Sequence, residues 1–77
     1  MSEQDFSLRL RNSRKSRLNV YLEPWGEAYV LAPSKDMQVV ARGPAGEAPN
    51  NMLEIESNEN GIVLWGWSGS NLTVRNP

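Results

Sequence analysis

Glu23 and Glu27 are the pair of residues whose type and spacing come nearest to acid–base chemistry. They bracket Pro24-Trp25-Gly26, so a three-residue turn sets the two carboxylates opposite each other. Facing carboxylates are the raw material of a hard-cation site or of a glycosidase-like pair. Both need more than this stretch offers. Calcium takes about six to eight oxygens, and a hairpin tip has no cleft around a substrate. Histidine and cysteine are absent, which removes most nucleophiles and bases and the usual zinc and copper ligands. Gly61, Gly66 and Gly69 sit in a strand–turn–strand setting, without a helix N-terminus to hold a phosphate. The expectation is a non-enzymatic domain with no catalytic residues, no cofactor and no metal.

The sharpest charge feature is basic. Arg9, Arg11, Arg14, Lys15 and Arg17 hold five of the eight basic residues within nine positions. With Tyr21, Trp25, Trp65 or Trp67 alongside, they could form the charged groove and stacking platform of a single-strand nucleic-acid binder. The plainer alternative is a solvated strand and turn whose cations neutralise Glu23 and Glu27. A formal net charge of −1 argues against a general polyanion binder and favours the plainer alternative.

These residues have to be positioned by strands. Leu18, Val20 and Leu22 alternate with Asn19, Tyr21 and Glu23, the period of a half-buried strand. If the Pro-Trp-Gly loop has three residues, Leu22 faces Ala28, Tyr21 faces Tyr29, and Val20 faces Val30. One face then carries Leu18, Val20, Leu22, Ala28, Val30 and Ala32. The other presents Tyr21, Glu23, Glu27 and Tyr29 below Trp25, and these five form the candidate interaction surface. Phe6, Leu8 and Leu10 alternate with Ser7, Arg9 and Arg11 as an earlier strand, and Met37, Val39 and Ala41 mark a later one. Gly43–Asn51 is rich in Gly, Pro and Asn and reads as the longest loop.

Asn58-Glu59-Asn60-Gly61 signals a second hairpin. A three-residue loop over 59–61 places Trp65 and Trp67 on the face of Leu53 and Ile55. A two- or four-residue loop places them beside Glu54 and Glu56. A small domain needs its large side chains inside, so the first arrangement is expected. Trp25 is expected to fold back over an edge of the core.

No stretch keeps a helical period. The pattern therefore predicts an all-β fold, a single small β-sandwich or partly open barrel of about seven short antiparallel strands. At 77 residues and 39% hydrophobic content the chain is one domain, with residues 1–5 as a flexible N-terminal tail and 6–77 as the β-domain. No apolar run suggests a signal peptide or a membrane span. Cysteine absence fits a reducing compartment, so a cytoplasmic location is expected. The leading function is protein–protein interaction or self-association. The alternatives are single-stranded nucleic-acid binding through residues 9–17 and carbohydrate or small-ligand binding through exposed tryptophans.

Overall fold

The computed structural model describes residues 3–47 and 51–75. Seven strands and no helix are present among them: β1 Glu3–Arg11, β2 Leu18–Glu23, β3 Glu27–Leu31, β4 Asp36–Pro44, β5 Glu54–Asn58, β6 Gly61–Trp65 and β7 Asn71–Arg75. They form a three-stranded sheet in the order β1-β4-β7 and a four-stranded sheet in the order β3-β2-β6-β5. The all-β expectation holds. β1 starts at Glu3 and pairs from there with Pro44, so residues 3–5 belong to the strand and not to a tail. Residues 1–2, and residues 48–50 of the expected long loop, lie outside the described residues.

Four pairings are antiparallel: β1–β4, β4–β7, β2–β3 and β5–β6. The fifth corrects the expectation of uniformly antiparallel strands. β2 and β6 run parallel at the centre of the larger sheet, with Val20 beside Ile62 and Leu22 beside Leu64. Gly61 makes their approach possible. Its φ is +144°, and a Cβ there would press on the Asn19 carbonyl, so only glycine fits.

The two sheets share one core. Leu18, Val20, Leu22, Leu31 and Leu64 come from the larger sheet, and Met37, Val39, Ala41 and Leu72 from the smaller. Leu22, Leu64, Val20 and Val39 are fully buried, and each aliphatic side chain so placed contributes roughly 1.5–3 kcal/mol of transfer free energy. Trp67 plugs one end from the β6–β7 loop. It stacks on Phe6 with centroids 6.0 Å apart and donates Nε1–H to the Pro44 carbonyl at 2.9 Å.

Candidate interaction surfaces

The surface expected from Tyr21, Glu23, Trp25, Glu27 and Tyr29 does not form as one patch. The hairpin register is one residue from the expected one: Tyr21 pairs with Ala28, Val20 with Tyr29 and Leu22 with Glu27. A one-residue slip turns every side chain of a strand to the opposite face. Tyr21 therefore faces outward, while Tyr29 and Leu31 face the core. Ala28, Val30 and Ala32, expected inside, are exposed.

The cause is a contact distant in sequence. Glu23 is taken by β6, where it pairs with Trp65 and its carbonyl accepts the Gly66 N–H at 2.9 Å. It is not free to face Glu27 across the turn. The loop is thereby four residues long, and Gly26 closes it at φ +73°. Glu23 Oε1 accepts the Gly26 N–H at 3.2 Å. Glu27 instead accepts the Tyr29 hydroxyl at 2.9 Å. That bond, then burial and the glutamate charge, raises the Tyr29 pKa above the usual phenol value. The facing carboxylate pair is absent, and with it the geometry for a two-carboxylate site at this turn. Neither glutamate meets an arginine. The ion pairs among the described residues are Arg42–Asp5 at 2.9 Å and Arg11–Asp36 at 3.6 Å.

The tryptophans divide. β6 and β5 pair Trp65 with Glu54, so Trp65 lies on the outer face and donates Nε1–H to Glu56 Oε1 at 3.1 Å. Trp67 is buried. The expectation that both share the face of Leu53 and Ile55 fails because Asn58 pairs with Gly61, which sets Leu64 and not Trp65 opposite Ile55, and because β6 ends at Trp65, so the chain turns before Trp67. Trp25 folds back against Gly66, where a Cβ would meet its ring, yet it stays partly exposed.

The basic residues do gather. Arg9 and Arg11 project from the outer face of β1, and Arg14, Lys15 and Arg17 lie in the β1–β2 loop. Asn12, a buried polar residue, holds that loop. Its Nδ2 donates to the Ser16 and Leu31 carbonyls at 2.8 and 2.9 Å, and its Oδ1 accepts the Arg14 N–H at 2.9 Å. Its backbone N–H donates to the Lys35 carbonyl at 2.9 Å, and its carbonyl accepts the Ser34 N–H at 2.9 Å, which draws the β3–β4 turn alongside. Register adds Arg75, since Gln38 pairs with Arg9 on one side and Arg75 on the other.

Strand directions thus collect seven of the eight basic residues at one end of the two sheets. Arg42 is the exception. Six of the nine acidic residues, namely Glu3, Asp5, Glu23, Glu27, Glu47 and Glu54, stand toward the opposite end. A net charge near zero conceals a domain polarised along its strands. Trp25, Trp65 and Trp67 are at the acidic end, so the alternative of a groove in which these rings interleave with the cations is not assembled.

Four strands are sheet edges: β1, β7, β3 and β5. β1 is the longest of them at nine residues. Phe6 is 38% exposed, Leu8 and Leu10 are half-buried, and Ser7, Leu8, Arg9 and Gln38 line a shallow depression of about 260 Å³. Comparison with protein-family models, curated proteins and solved structures finds no match.

Proposed function

We propose that this chain is a non-enzymatic β-domain that works through protein contacts, self-association included. The observation that carries the proposal is the β1 edge. Among the described residues no strand lies against the side of β1 away from β4. Its backbone there is a template for another strand, and its inward side chains are incompletely covered. Sedimentation equilibrium over a wide concentration range tests the self-association. Mass rising above that of one chain is the expected outcome, and a strict monomer at high micromolar concentration removes that part of the proposal.

A second function is favoured by the cationic end. Seven clustered basic side chains could engage the phosphates of a nucleic-acid strand by charge alone, without stacking. Fluorescence anisotropy with labelled single strands at low salt is the check. Binding that falls when Arg14, Lys15 and Arg17 become glutamine supports it, and no binding ends it.

A further inference from the structure

We infer that the partner of β1 is β1 of a second copy, paired antiparallel with Ser7 opposite Ser7 on a two-fold axis. This inference rests on the interaction role proposed above and names its occupant. The strand Glu3-Gln4-Asp5-Phe6-Ser7-Leu8-Arg9-Leu10-Arg11 is complementary to its own reverse. In the Ser7 register, Asp5 meets Arg9 of the other copy and Glu3 meets Arg11. On the inward face Phe6 meets Leu8, and Gln4 meets Leu10. All nine residues pair, every charge meets its opposite, and both faces keep their polarity.

Other registers do worse. A shift by one residue in either direction sets Asp5 against a leucine, Leu8 or Leu10, and removes every opposite-charge pair. A shift by two shortens the ladder and leaves charges opposite serine. The two-fold joins the small sheets into one of six strands, β7-β4-β1-β1-β4-β7, and covers the exposed flank of Phe6. It also aligns the cationic end of one copy with the anionic end of the other, so the two polarised domains attract along their whole length.

The other edges do not offer this. β5 about its centre opposes Glu56 to Glu56, which is repulsive. β3 about its centre opposes Glu27 to the core residue Leu31. β7 is compatible with itself but has five residues, giving a ladder little more than half as long.

A charge exchange tests the inference. D5R alone places two arginines opposite each other at both symmetric contacts, and R9D alone does the same with two aspartates. Each variant should dimerise about tenfold or more weakly than the parent chain. Mixed in equal amounts, the two should recover dimer as a one-to-one heterodimer, because each new charge then meets its opposite. E59R, an equal charge change in the β5–β6 turn and off the edge, should leave dimerisation unchanged. Circular dichroism checks that the variants remain folded, and recovery on mixing requires it. If the parent chain dimerises and D5R and R9D do so equally well, another surface is used; β1 pairing is then overturned while self-association stands. A parent chain that stays monomeric overturns both.

Discussion

β1 and β5 are edge strands of different sheets, and both are largely exposed. They differ in the order of their charges. β5 carries Glu54 and Glu56 on one face and no cation, so a second copy is repelled. β1 carries Glu3 and Asp5 in its first half and Arg9 and Arg11 in its second, so a reversed copy is neutralised. Exposure and open backbone groups alone therefore do not make an interface. In the pairing proposed for β1, the order of charges along an edge is what separates an adhesive strand from a protected one.

The largest expected effect separates either edge from the core that supports it. Leu64 is fully buried and pairs with Ile55 of β5. Leu64→Ala should cost about 2–5 kcal/mol in denaturant unfolding, whereas Ile55→Ala, on the exposed edge, should cost under about 1 kcal/mol. Comparable losses would mean that β5 is covered in solution and that the contrast between the edges is wrong.

A second experiment converts one edge into the other. Glu54→Lys gives β5 a cation that meets Glu56 of a reversed copy, with Ile55 on the axis. Sedimentation should then show species heavier than the parent assembly at equal concentration. An unchanged distribution would mean that charge order does not govern these edges. The smallest effect lies on β3. The protonated Tyr29 phenol donates to Glu27, so its raised pKa makes a contribution that is intact below the ordinary phenol range and is lost as pH rises through the raised value. Glu27→Gln should bring the Tyr29 ionisation, followed by ultraviolet absorbance, back toward an ordinary tyrosine. No change would place that bond outside the solution structure.

What could be read from the residues was local. The alternation of Met37, Val39 and Ala41 marked β4 and its buried face, and all three are buried. Leu18, Val20 and Leu22 marked the inner face of β2 in the same way. The β3 register was misjudged because β6, distant in the chain, holds Glu23 and lengthens the turn. Trp65 and Trp67 could not be separated without the β5–β6 register, which sets the face of Trp65, and the end of β6, which frees Trp67 from it. The complementarity of β1 was present in its letters but had no meaning until the strand was found at an edge. Asn12 gave no signal beyond its type, since its role depends on Leu31 and Lys35 arriving beside it.

The parallel union of β2 and β6 also bears on how the chain reaches this structure. The β2–β3 and β5–β6 hairpins can close on local contacts, but the seam between them joins Val20 to Ile62. The smaller sheet is no more local, since β4 must collect β1 from before it and β7 from after it. Such long loops must be closed before their contacts reward them, which puts folding of small β-domains in the millisecond-to-second range. Until β6 arrives, one side of β2 is an open strand carrying Val20 and Leu22. The hazard of misassembly is therefore greatest while the chain is half folded, when the strand destined for the centre of the larger sheet is still exposed.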